Sequence, residues 1–163
     1  MTQNKVKDFL IAFYTKKDLG ENRNRYKPFM TSSMYQSELS LEDDATNQAY
    51  KGYVVDFKYK DSEIYIDAKN NVALVKVRYT NTLLSKKGDY SKAQKNVSNE
   101  ATVKLSYLQD GKKLLVNHVD SILITSSDGT DSDYPDYGKL QTNTTTTQET
   151  SNKTQTEGEE NNG

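Results

Sequence analysis

The feature that most limits what this chain can fold into is the stretch from Asn99 to Thr125. Ala101, Val103, Leu105 and Tyr107 alternate with Thr102, Lys104 and Ser106. A period of two puts one set of side chains on a core and the other in water, which is the pattern of a half-buried β-strand. Asp110-Gly111 follows, a pair that tolerates the positive φ of a tight turn, and apolar residues resume at Leu114 and Val116. The stretch therefore reads as a long β-hairpin. No reaction motif sits on it.

The strands before it carry the same signal. Tyr53, Val55, Phe57 and Tyr59 alternate with Val54, Asp56, Lys58 and Lys60, but Ile64 and Ile66 fall on the opposite parity. That shift predicts a bulge or bend near Asp61-Ser62 within one long strand. Asn70-Asn71 is a turn dipeptide, and Ala73, Val75, Val77 and Tyr79 begin a strand running towards Leu83. A polar connection from Lys86 to Asn96 then leads into the hairpin, so the expectation is four antiparallel strands in sequential order.

Upstream the period changes. Val6, Phe9, Leu10 and Phe13 recur at i, i+3, i+4 and i+7, predicting an amphipathic helix from Asn4, as N-cap, to Asp18, with Leu19-Gly20 as its stop. Tyr26, Phe29, Met30 and Met34 form a second apolar set. Pro28 makes this one or two short helices, starting or kinking near Lys27. Such a Met and aromatic stripe is read as core in preference to a pocket lining. From Ser37 to Ala49 the sequence is polar and acidic with no sustained period, which predicts a connecting loop. Its Glu42-Asp43-Asp44 lacks the alternating oxygen ligands and central glycine of a calcium loop. Helices first and an antiparallel meander afterwards predict an α+β domain in which a curved four-stranded sheet wraps the N-terminal helices.

Composition divides the chain near Ser126. Beyond Thr125 only Tyr134, Tyr137 and Leu140 belong to the hydrophobic set, and eight acids face Lys139 and Lys153, a net charge of −6. With −1 for the whole chain, the body carries +5. The division expected is a folded domain over residues 1–125 and a disordered acidic tail, rich in Thr, Asn, Gln and Glu, over 126–163. The body's lysines and arginines are scattered along strands and helix and are not gathered into a run with interleaved aromatics, so direct nucleic-acid binding is not expected. The absence of cysteine removes disulfides, zinc thiolate sites and thiol catalysis together. No apolar run approaches the roughly 20 residues that span a bilayer.

Two or three N-terminal helices, a bent strand and three further strands ending in Gln109-Asp110-Gly111-Lys112-Lys113-Leu114-Leu115-Val116 resemble the cone-shaped, cystatin-like fold of nuclear transport factor two and its relatives, over roughly Lys5 to Thr125. Phe9-Leu10-Ile11-Ala12-Phe13-Tyr14, followed by Arg25-Tyr26-Lys27-Pro28-Phe29-Met30, is similar to extracytoplasmic domains of conjugative-transfer proteins of Gram-positive bacteria, the TcpC and VirB-type scaffold group. The resemblance implies a non-enzymatic assembly module of a type IV secretion machine, with other secretion-channel proteins as partners and weak self-association. It also implies a place on the outer face of the cell membrane or in the cell wall, reached through an anchor that this chain lacks. A helix starting within a few residues of Met1 fits a chain from which a signal or anchor has been trimmed.

The same cone hosts isomerases and dehydratases that set an Asp or His base beside a Tyr, so the alternative reading is a small-molecule-binding or isomerase-like enzyme. Its residues would be His118, the only histidine, and Asp120, which share strand parity with Val116 and point into the cone if no bulge intervenes; Asp56 is a further carboxylate to consider. No Ser-His-Asp pattern, metal-ligand cluster or phosphate-binding glycine loop accompanies them, so no cofactor, metal or catalytic residue is expected. The two readings part on whether Phe9, Phe13, Phe29, Met30 and Leu105 plug the cone. On the scaffold reading the contact surface is sought at Arg23, Arg25 and Lys27.

Overall fold

A computed structural model describes residues 1–122. The tail expected over 126–163 lies outside the described residues, as do the last three residues of the 1–125 domain. The first helix, α1, covers Gln3–Tyr14. Its N-cap is Thr2, whose hydroxyl accepts the Lys5 amide, and its buried stripe is Val6, Phe9 and Leu10. The expected start at Asn4 and end at Asp18 are thus both displaced. The helix stops early because the chain turns extended and bridges to a strand: the Lys16 amide donates to the Phe57 carbonyl at 3.1 Å and Phe57 returns a bond of 2.8 Å to Lys16. Two of the carbonyls freed at the C-terminus of α1, those of Ala12 and Phe13, accept both N–H bonds of the buried Asn22 amide, at 2.9 and 2.8 Å.

A short helix α2, Arg23–Tyr26, runs into a single 3-10 turn, Lys27–Phe29, with Pro28 in a first turn where a missing N–H costs nothing. Helices α3, Ser32–Glu42, and α4, Ala45–Tyr50, occupy the stretch where a loop was expected from Ser37 to Ala49. The physical reason is in the buried face of α3, which is Met34, Glu38 and Glu42 at four-residue spacing. Carboxylates stand where hydrophobes would, so a search for apolar periodicity finds nothing. The caps were readable: Thr31 Oγ1 accepts the Met34 amide and Asp44 Oδ2 accepts the Thr46 amide.

The sheet contains β1 (Val54–Asp67), β2 (Val72–Leu83), β3 (Gln94–Asp110) and β4 (Lys113–Ser121), antiparallel in the order β1-β2-β3-β4. Asn71, at φ 53, lies in the first turn, and Gly111, at φ 57, lies in the last, where Asp110 pairs with Lys113. The parity change in β1 is real, with a register shift between Tyr59 and Asp61, and a second shift falls between Val55 and Lys58. At the second, Asp56 takes φ 54 and its amide bonds to the Lys17 carbonyl at 2.8 Å. The bulge frees this part of the edge strand to pair with the segment that ends α1.

The helices cover one face of the open sheet. Ala73, Val75, Val77 and Tyr79 of β2, Ala101, Val103 and Leu105 of β3 and Val116 of β4 point at Val6, Phe9, Leu10, Tyr26, Met30 and Met34. Phe9, Met30 and Leu105 are buried within this core, while Phe13 and Phe29 are partly buried against it. Rings link the helices: Phe13 meets Phe9 at 5.4 Å and Tyr26 edge-on at 5.4 Å between centroids.

Candidate functional site

The two residues of the alternative site lie on the outer face of the sheet, away from the helices. Ser106 pairs with His118 but Tyr107 pairs with Val116, so Asn117 is an extra residue in β4. A one-residue insertion reverses which face every later side chain meets. Val116 is fully buried, and beyond the bulge it is Val119 that packs against the core. His118 is turned out with 65% of its side chain exposed, and its Nε2 stands 2.9 Å from Asp120 Oδ1. Asp120 also lies 3.7 Å from the Lys104 ammonium, so the pair belongs to a surface charge cluster. Asp56 has a local role as well, accepting the Tyr90 hydroxyl at 2.9 Å.

The three cations sought as a contact surface are largely engaged by their own fold. Arg23 Nε lies 2.5 Å from Glu42 Oε2 and its Nη2 lies 2.8 Å from Asp43 Oδ1. Arg25 forks onto both oxygens of Glu21 at 2.7 Å and also donates to the Thr15 carbonyl at 2.9 Å. The pairing with Arg25 pulls the Glu21 carboxyl well below the usual carboxylate range, helped by the Lys17 amide. Lys27 sets its ammonium over the Tyr35 ring at 5.1 Å.

Sequence periodicity missed the polar cluster that joins α2 to α3. Glu42 is buried, bonded on one oxygen by Arg23 and on the other by the Tyr26 hydroxyl at 3.1 Å. Burial, with Glu42 and Glu38 nearby, pushes the Tyr26 hydroxyl far up from its ordinary value. Glu38, one turn earlier, is buried, and desolvation raises its carboxyl to about 7 against the opposing pull of Lys16. Between Phe13, Lys16, Glu38 and Glu42 there is a void of about 20 Å³, room for roughly one water. A signal existed in the spacing of Met34, Glu38 and Glu42, but only for a reader who allows carboxylates on a buried stripe.

The outer face of the sheet is a lattice of charge with an apolar end. Arg78 spans Asp61, Glu63 and Glu100, and Lys76 reaches Glu100 at 3.2 Å. Nearer the hairpin turns Tyr65 pairs across strands with Leu74, and these two and Leu108 are 63%, 41% and 53% exposed. Among the described residues no group of three or more His, Asp or Glu side chains is disposed to hold a metal ion, and no helix is long and apolar enough to cross a membrane.

No model of a known protein family matches the chain, and no curated protein matches it.

Proposed function

We propose that the domain is a non-enzymatic module that works by contacts with other proteins, and that it serves as an extracytoplasmic scaffold of a conjugative type IV secretion machine. The observation that carries the first half is the use made of the inner face of the sheet. Phe9, Leu10, Tyr26, Leu105 and Val116 fill it at 1% exposure or less, and the space left beside Glu38 has room for only about one water. A substrate chamber of the isomerase kind needs several hundred Å³ with a base aimed into it. His118 and Asp120 face the other way. Exposed apolar side chains are instead offered at Tyr65, Leu74 and Leu108, on the side open to a partner. The second half rests on the resemblance of the helical segments to the scaffold group.

The test is plasmid transfer between cells carrying altered copies of the full-length gene. Tyr65→Ser with Leu74→Ser should lower transfer at least tenfold in a protein that still folds, while His118→Gln with Asp120→Asn should leave transfer unchanged. Arg23 and Arg25 are unsuitable targets because each holds the helices together. Loss of transfer with the His118 and Asp120 pair, and none with the Tyr65 and Leu74 pair, would return the enzyme reading to first place.

A further inference from the structure

β3 is much longer than its neighbour. β4 pairs with it only from Val103 onwards, and Ile122 extends the contact by donating its amide to the Thr102 carbonyl at 2.8 Å. From Gln94 to Ala101, β3 is bonded to β2 on one side, and among the described residues nothing pairs with its other side. Peptide groups alternate sides along a strand, so with Thr102 bonding towards β4, the amides of Glu100 and Ser98 face this open edge. An uncovered edge with unpaired N–H and C=O groups is a template for another strand.

The direction of the chain and the charge at the end of that edge indicate the occupant. β4 runs antiparallel to β3, so at Ile122 the backbone heads along the open edge towards Gln94. There the β2–β3 connection and its surroundings present Lys51, Lys86, Lys87, Lys92 and Lys95, all exposed. None of the five is in an ion pair among the described residues. Lys87 stands over the Tyr53 ring at 5.4 Å. The local acids are committed, Asp89 to the Ser91 amide and Asp56 to the Tyr90 hydroxyl. The sequence that follows Ile122 is Leu123-Ile124-Thr125, three residues of strand-forming type, and then Asp128, Asp131, Asp133 and Asp136 with no intervening cation.

We infer that the chain docks on itself: Leu123 to Thr125 continue the β4 register along β3 as far as Asn99, and the acids from Asp128 to Asp136 settle on the lysines at that end of the domain. Extending the pairing of Val103 with Ser121 along the edge would set Leu123 opposite Ala101 and Thr125 opposite Asn99. The positive φ of Asn96 and the register shift beside it end the regular edge shortly afterwards. Docking closes an edge that would otherwise recruit foreign strands, and it places a displaceable acidic cover over the lysine-rich end. A partner using that end would have to be acidic enough to compete.

The test uses the whole chain. Amide hydrogen exchange at low salt should find the Glu100 N–H group exchanging at least tenfold more slowly than in the Ile124→Pro variant, which breaks the added ladder. A zero-length carboxyl–amine crosslinker should join Asp128, Asp131, Asp133 or Asp136 to Lys86, Lys87, Lys92 or Lys95, and 0.5 M salt should abolish these links. Glu100 exchanging as freely in the parent as in the variant would overturn the proposal. So would crosslinks spread evenly over the body lysines, Lys5 and Lys7 included. Mixed-isotope links in a blend of labelled and unlabelled protein would overturn it in favour of a second copy as the occupant.

Discussion

At the scale of single residues the most telling group is Glu38, a carboxyl on a buried helix face. It faces Glu42 on its own helix, Arg23 and Tyr26 from α2, and Lys16 from the segment after α1. Burial raises its folded value from the usual 4.5 to about 7, so between those limits the folded protein holds a proton that the unfolded chain releases. The unfolded state binds fewer protons in that window, hence stability falls as pH rises from 5 to 8. The expected loss is about 2–3 kcal/mol at most, at about 1.4 kcal/mol for each pH unit spanned. Below about pH 4.5 Glu38 is neutral in both states and its contribution is flat. Urea unfolding at pH 5 and pH 8 checks this: Glu38→Gln should flatten the difference, and a parent protein more stable at pH 8, by an amount the variant loses, would refute the assignment. A second residue-scale expectation concerns Asn22. Asn22→Ala leaves two part-buried helix-end carbonyls without their donor and should cost about 1–3 kcal/mol in the same measurement.

At the scale of elements, the signals that survived folding were those in which apolar residues themselves carried the period. All four strands, the parity change in β1 and the Asp110-Gly111 hairpin were legible, because each alternation faces one core. Three things were not. The end of α1 is set by a bridge to Phe57, more than forty residues away, which no local pattern contains. Helix α3 was hidden because Glu38 and Glu42 occupy its buried stripe, and α4 because its six residues bury none that could carry a period. The outward turn of His118 depends on one inserted residue, Asn117, which alternation over so short a strand does not reveal. Of the site residues, Arg23 and Arg25 were picked for charge, and their charge turns out to bind α2 to its neighbours. Within the expected apolar stripe the burial is uneven: Phe9 is 1% exposed, whereas Phe13 is only partly buried. Phe9→Ala should therefore destabilise by about 3–5 kcal/mol and exceed the effect of Phe13→Ala. His118→Ala, on an exposed side chain, should stay within about 0.5 kcal/mol. Denaturant midpoints ranking His118→Ala above Phe9→Ala would contradict the described packing.

At the scale of the whole molecule, the question is whether the domain assembles by itself. A stable interface buries about 1,200–2,000 Å² with an apolar centre. The outer face offers three well-exposed apolar side chains, Tyr65, Leu74 and Leu108, beside a field of fixed ion pairs around Arg78. Two of its edges, those of β1 and β4, are also guarded. The first part of β1 is covered by the Lys16 bridge, and its outer part carries Lys60, Asp61, Glu63 and Asp67, charges that oppose strand addition. The edge of β4 is met at Val116 by Met30, with the Thr31 amide bonded to the Val116 carbonyl at 2.9 Å. The chain should accordingly be mostly monomeric at micromolar concentration, with weak self-association emerging only when something else raises the local concentration, as a shared anchor or a common partner would. Sedimentation equilibrium from 1 to 100 μM should fit one monomer mass across the range. A dimer dissociating at or below 1 μM would mean that the apolar end at Tyr65 and Leu74 is a self-interface, and Leu74→Lys should then restore the monomer.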